Sequence, residues 1–290
     1  MKNITETWKQ VSPSVCSITH YDEKDKKISS GSGFKVGDYI VTNSHVGCCE
    51  QAKKTKIEFP GDIDWKSSYD NFHSSIADVM TPDEWDFAVY RTENMKEFSH
   101  IPSLELAPKD IQIDIGQKVA LLGYPFGKNN LSIHAGYISS KYSNKDVKYL
   151  QIDASVNAGN SGGPLINLDT NEVIGIVTRK ERGFTETFDR FEEKIKGNNK
   201  ALHSAQEKLC GDSAILEGIL NTNPNDSGAI SIKSAIEERI DPIRTAVMLS
   251  AIYTEIGQLI KELKRSSNVG IGYAYELDKI REFYGFEEES

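Results

Sequence analysis

The chain has 290 residues, 38% of them hydrophobic and 27% charged, with a net charge of −9. These proportions exclude a disordered tail and a coiled-coil rod. No apolar run approaches the roughly 18 residues of a membrane span, and the acidic balance argues against a nucleic-acid binder. Four cysteines, Cys16, Cys48, Cys49 and Cys210, are too few for a disulfide framework. The adjacent pair cannot form a C-x-x-C knuckle, so the four read as free thiols, with a zinc site or redox switch as the lesser alternative. The first eight residues carry no apolar leader, and the expected setting is the cytoplasm.

Val15–Thr19 opens a series of short strands. The charged stretch Asp22–Lys27 reads as a hairpin loop, and residues 31–36 turn at Gly37-Asp38 into Tyr39–Thr42. Phe87–Tyr90, Lys118–Leu122, Tyr149–Ile152 and Val173–Val177 continue the series, which predicts an all-β barrel or sandwich. Near Thr185 the period changes. Ile236, Ile240, Ile243, Val247, Ile252, Ile256, Leu259 and Leu263 recur every three or four positions, as on a helix whose stripe forms a bundle core or, less simply, a partner seam. Asp241-Pro242 predicts a helix start, with Asp as cap and Pro in the first turn. The block therefore reads as about three helices, or as a hairpin of two long ones. Asn268–Tyr275 then has the glycine and aromatic content of a strand, and Glu276–Tyr284 that of a short terminal helix.

The segment Asn157-Ala158-Gly159-Asn160-Ser161-Gly162-Gly163-Pro164-Leu165 carries the chemistry. A serine among glycines sits on a sharply bent loop that exposes its hydroxyl and turns backbone N–H groups toward one point. Acyl transfer needs both a nucleophile and an oxyanion hole. A serine hydroxyl also needs a base, usually a histidine oriented by a carboxylate. Of six histidines, His45 follows the strand Tyr39–Thr42, and Asp86 immediately precedes the strand Phe87–Tyr90. The remaining histidines, His73 and His134 among them, read as ordinary surface or core residues. The order His, Asp, Ser is that of chymotrypsin, and differs from the orders of subtilisin and the α/β-hydrolases.

Val11–Val15, Gly31-Ser32-Gly33-Phe34 with Val41–Val46, Asp86–Val89, Gly123-Tyr124-Pro125-Phe126-Gly127, Gln151–Asn167 and Val173–Ile176 follow one another as blocks. Together with Val269–Ala274, this succession resembles the trypsin-like serine proteases of the HtrA (high-temperature-requirement) type. The resemblance implies a mainly β fold of two six-stranded antiparallel barrels, chymotrypsin-like, interrupted by an α-helical insertion. Residues 1–184 would form the first part of the protease domain, 185–266 the insertion, and 267–290 the last barrel strand and terminal helix. It also implies a serine endopeptidase: Ser161 as nucleophile, His45 as general base and then acid, Asp86 holding the imidazole tautomer. The oxyanion hole would come from Gly159 and Ser161, with Asn160 as a third candidate. Ser155, six residues before the nucleophile, would floor the specificity pocket, with Thr178 beside the substrate strand and Gly270 to Tyr273 as the wall. Because Ser155 carries no charge, an uncharged residue before the scissile bond is expected. The substrate would add beside Val177-Thr178-Arg179, and Arg179 or Lys180 could recruit an acidic side chain. No cofactor or metal is implied. The expected partners are a protein or peptide substrate and an activator or a second copy engaging helices 185–266, with no nucleic acid and no membrane. The alternative is a catalytically latent adaptor of the same fold that acts through its helices.

Overall fold

A computed structural model describes residues 3–81, 84–127, 130–178, 182–222, 229–266 and 270–283. Helix α1 (Ile4–Val11) starts at a reciprocal cap: Asn3 accepts the Thr5 N–H, and Glu6 accepts the Asn3 N–H. The strands β1 (Val15–Tyr21), β2 (Lys27–Val36), β3 (Tyr39–Thr42), β4 (Lys54–Phe59), β5 (Ile63–Ser68), β6 (Ile76–Met80) and β7 (Phe87–Arg91) form one antiparallel sheet in the order β5-β4-β1-β2-β3-β7-β6. A one-turn helix α2 (Ser44–Gly47) follows β3, and α3 (Tyr69–His73) follows β5. The strands β8 (Lys118–Gly123), β9 (Ser132–Asn144), β10 (Val147–Ile152), β11 (Pro164–Asn167), β12 (Val173–Thr178) and β13 (Gly272–Glu276) close a barrel in the order β10-β13-β12-β11-β8-β9.

The mainly β architecture with two antiparallel sheets agrees with the sequence reading. The second barrel has the expected six strands, whereas the first sheet has seven. Strands β4 and β5 escaped the sequence reading because their apolar residues line one face only, and β6 because none of its residues is fully buried. Ile57, Phe59 and Trp65 point inward while Lys54, Lys56, Glu58 and Lys66 alternate with them. Each sheet has its own core, built on Ile18, Ile40, Phe72 and Tyr90 in the first and on Leu121, Leu150, Ile152 and Val177 in the second. A third cluster draws Phe34, Val41 and Phe87 together with Leu122, Ile176 and Tyr275, and so fixes one sheet against the other.

His20 on β1 is fully buried in the first core, and burial holds its imidazole below the ordinary value of 6.5. Burial has the same effect on His134. Just below that value the unfolded chain therefore binds more protons than the folded one. Stability is full above 6.5 and falls as pH falls through the lowered values. The urea midpoint should drop between neutral pH and about pH 5, and His20→Gln should flatten the decline. A midpoint independent of pH in that window would contradict this assignment.

By internal contacts the chain divides into residues 1–180 with 268–290, and residues 181–267. Thr178, the last residue of β12, pairs with Tyr273 on β13. The chain thus leaves and returns on adjacent strands. Within the second unit, α4 (Arg182–Thr222) and α5 (Ala229–Ser266) form an antiparallel pair: Asn199 on α4 bonds Ser250 at 2.6 Å and Thr254 at 3.2 Å on α5. Contrary to the expected start at Asp241-Pro242, Pro242 lies inside α5. The packing of α5 on α4 offsets the roughly 3 kcal/mol that an interior proline costs. The predicted stripe is not covered along its whole length: Val247, Ile252, Ile256 and Leu259 are exposed, whereas Ile243 is half-buried and Ala246 and Ile260, beside the stripe, are buried. The side chains of Ile236, Ile240 and Leu263 lie outside the described residues. Among the described residues no helix is long and apolar enough to cross a membrane.

Candidate active site

His45 stands on α2, directly after the interior strand β3, and Asp86 directly precedes β7, the neighbour of β3. The register Thr42↔Ala88 brings the two strand ends together. Asp86 Oδ2 lies 2.7 Å from His45 Nδ1. Its other oxygen accepts the Ser44 hydroxyl at 2.8 Å and the His45 N–H at 3.1 Å, and its own carbonyl accepts from Asn43 Nδ2 at 2.8 Å. The carboxylate is 3% exposed, and its backbone sits at φ +43°, a region that aspartate tolerates better than most residues. Such strain is characteristic of functional positions held by their surroundings. A carboxylate acceptor at Nδ1 places the proton there and leaves Nε2 free to act as a base.

The loop before β11 carries Ser161. Its two positive-φ glycines have no room for a side chain. A Cβ on Gly159 would lie 2.2 Å from Tyr124 O, and one on Gly162 would lie 2.2 Å from both Ser32 O and Thr42 Oγ1. Ser32 laces the loop to the first sheet. Its hydroxyl donates to Gly159 O at 2.7 Å and accepts the Tyr124 N–H at 2.9 Å, and its N–H donates to Ser161 O at 2.8 Å. The Gly31 Cα faces Val46, the residue after His45, and Ser161 O, so the base and the nucleophile loop meet across that glycine. Among the described residues Ser161 Oγ makes no hydrogen bond with His45. Contacts of this kind are often long without substrate and tighten on binding.

Among the described residues the Gly159 and Ser161 N–H groups have no partner, whereas the Asn160 N–H donates to Asn157 O at 3.0 Å. Asn160 therefore drops out as an oxyanion donor: the turn that frees its neighbours engages its own amide. Its side chain is fully buried. Ser155 is half-buried between the buried Ala154 and Val156, and Thr178 is buried at the end of β12. Tyr273 pairs with both Thr178 and Gln151. Gly270, at φ +66°, precedes the strand instead of belonging to it. Gly272, which sequence reasoning passed over within the Gly270–Tyr273 wall, approaches Val156 and Ala154 so closely that a Cβ would lie 2.3 Å from Val156 Cγ2. The Gly-x-Gly spacing ahead of an aromatic strand was the available signal. Val177 uses both its N–H, to Gly163 O, and its C=O, from the Gly162 N–H. A substrate strand can therefore pair only beyond Val177, and Arg179 and Lys180 lie outside the described residues. Burial raises the Cys48 thiol, and the Asp86 charge adds to the rise, so this cysteine three residues from His45 stays protonated and is no rival nucleophile.

The family model described as a trypsin-like peptidase domain matches residues 30–176, the span that contains His45, Asp86 and Ser161. The chain belongs to the trypsin-like peptidase family. Among curated relatives of this trypsin-like domain, serine protease HTRA1A of Danio rerio is 33% identical over 192 residues, covering 61% of this chain and 36% of that protein. Serine protease HTRA4 of Mus musculus is 35% identical over 162 residues, 52% of this chain and 30% of that protein. Mitochondrial serine protease HTRA2 of Bos taurus is 32% identical over 171 residues, 55% of this chain and 33% of that protein. The relatives are thus HtrA-type, and the chain spans about a third of their length. A solved serine endoprotease from Yersinia pestis aligns with a TM-score of 0.49 at 23% identity, covering 63% of this chain and 59% of that one.

Proposed function

We propose that the chain is a serine endopeptidase that cleaves peptide bonds through an acyl-enzyme. The observation that carries this reading is the buried Asp86 bonded at 2.7 Å to His45, with the nucleophile loop laced to the same sheet. In this reading His45 Nε2 takes the Ser161 hydroxyl proton as Oγ attacks the substrate carbonyl. The resulting oxyanion takes up the N–H groups of Gly159 and Ser161. His45 then returns the proton to the leaving amine, and water repeats the cycle on the ester. The uncharged Ser155, with Gly272 facing the apolar Val156, favours a small aliphatic to medium hydrophobic residue before the scissile bond. Cysteine usage supports a cytoplasmic setting. The test is labelling with a fluorophosphonate. The wild type should be labelled and Ser161→Ala should not. A wild type that stays unlabelled under every activating condition would favour the second reading, a latent adaptor acting through its helices. That reading draws on the missing hydrogen bond between Ser161 and His45.

The insertion is proposed to gate the site toward a dedicated protein target, through an activator or a second copy engaging the exposed Met248, Ile252 and Leu259 on α5. Its roots on β12 and β13, the strands of Thr178 and Gly272, support this. Replacing residues 186–265 with a short linker should change kcat more than KM. A folded variant with unchanged kcat would refute gating.

A further inference from the structure

Helix α2 is a single turn, too short to hold itself. Its geometry is imposed from its two ends. At the N-terminal end Asp86 accepts from the Ser44 hydroxyl and the His45 N–H. At the other end the carbonyls have no partner inside the helix, and Val46 O lies 2.8 Å from His20 Nε2. A carbonyl can only accept, so Nε2 carries the imidazole proton and Nδ1 the lone pair. The Thr55 hydroxyl donates to that lone pair at 3.0 Å. His20 is 0% exposed, with Tyr69 edge-on at 5.6 Å and Phe72 at 6.0 Å. Tyr69 OH also accepts the Cys49 N–H, just past the helix, at 2.8 Å. The imidazole held low by burial is in keeping with a neutral donor. Both ring nitrogens are engaged, so His20 has no proton to offer the reaction. What it holds is the carbonyl of the residue after His45.

We propose that His20 is a positioning residue for the general base: through Val46 O it fixes the one-turn helix that presents His45, opposite the anchor that Asp86 provides. The proposal rests on the reading of His45 as the base. Val46 also packs against Gly31, which in turn faces Ser161 O, so a shift of this turn would be felt at the nucleophile loop as well.

The experiment compares His20→Gln with His20→Asn. The glutamine amide nitrogen reaches the place of Nε2 and can still donate to Val46 O, while the shorter asparagine cannot. Two quantities are read: kcat and KM on one peptide, and the downfield Nδ1 proton resonance of His45, recorded also in a Ser161→Ala background. His20→Asn should lower kcat by roughly 10- to 100-fold, as displacement of a catalytic group by about 1 Å does. KM should be little changed, and the resonance should broaden. His20→Gln should retain both the rate and the resonance. Equal kcat and equal resonances in the two variants would overturn the proposal. If His20→Asn does not fold, His20→Met takes its place. It fills the ring's space without an N–H for Val46 O, and an unchanged kcat with an unchanged resonance would again overturn the proposal. A wild type that fluorophosphonate never labels counts against the peptidase reading itself. The resonance then still decides the role of His20, because it reports the His45–Asp86 geometry without turnover.

Discussion

Ser161→Ala and His45→Ala should each lower kcat for peptide hydrolysis by roughly 10⁶-fold, and the double variant should lose no more than either alone. On the proposed reading the two act as one unit. Without Ser161 there is no acyl-enzyme for His45 to serve, and without His45 the hydroxyl keeps its proton. What survives is binding and the N–H pair of Gly159 and Ser161, worth about 10³–10⁴ over water. The alanine at position 161 leaves its own N–H in place, so substrate KM should change little. Progress curves with a peptide mixture, extended to days, read both quantities. A His45→Ala variant within tenfold of wild type would mean that another base serves Ser161.

Asp86→Asn should lower kcat by roughly 10⁴-fold. The carboxylate has a division of labour that an amide cannot copy. Oδ1 accepts from Ser44 and the His45 backbone, and Oδ2 accepts from His45 Nδ1. An asparagine that keeps its oxygen toward Ser44 and the His45 N–H must turn its NH₂ toward Nδ1. The imidazole then carries its proton on Nε2 and cannot accept one from Ser161. Turning the amide the other way saves the tautomer and sets the NH₂ against two donors inside a buried site, which costs about 1–3 kcal/mol of stability. Either orientation impairs the protein, and the two are separable. Loss of kcat with an unchanged urea midpoint identifies the first, and a lowered midpoint with partial activity identifies the second. A variant unchanged in both would remove Asp86 from the site.

The candidate site was legible in the sequence where chemistry requires particular residue types in order: His45, Asp86 and a serine among glycines. Details that depend on the path of the backbone were not. Whether Asn160 or its neighbours offer a free N–H is decided by a turn that closes on Asn157. Whether Val177 can bind a substrate strand is decided by its bonds to Gly162 and Gly163. In the fold, Val173–Val177 was plain because every residue of β12 is buried, whereas β4 and β5 hid their inward face among lysines. Helical period located the stripe on α5 but could not say what covers it, and in the structure Val247, Ile252, Ile256 and Leu259 of it are exposed.

The placement of β13 also sets an order of events during synthesis. Its neighbours in the barrel are β10 and β12, and the whole insertion lies between them and it in the chain. The His45–Asp86 pair is available once the first sheet has emerged. The barrel that shapes the nucleophile loop stays open until the insertion and then β13 have been made. Pairing of α4 with α5 shortens the gap that this late strand must cross, and with it the loop-closure entropy. A nascent chain would therefore carry an oriented base well before it carries a finished cleft.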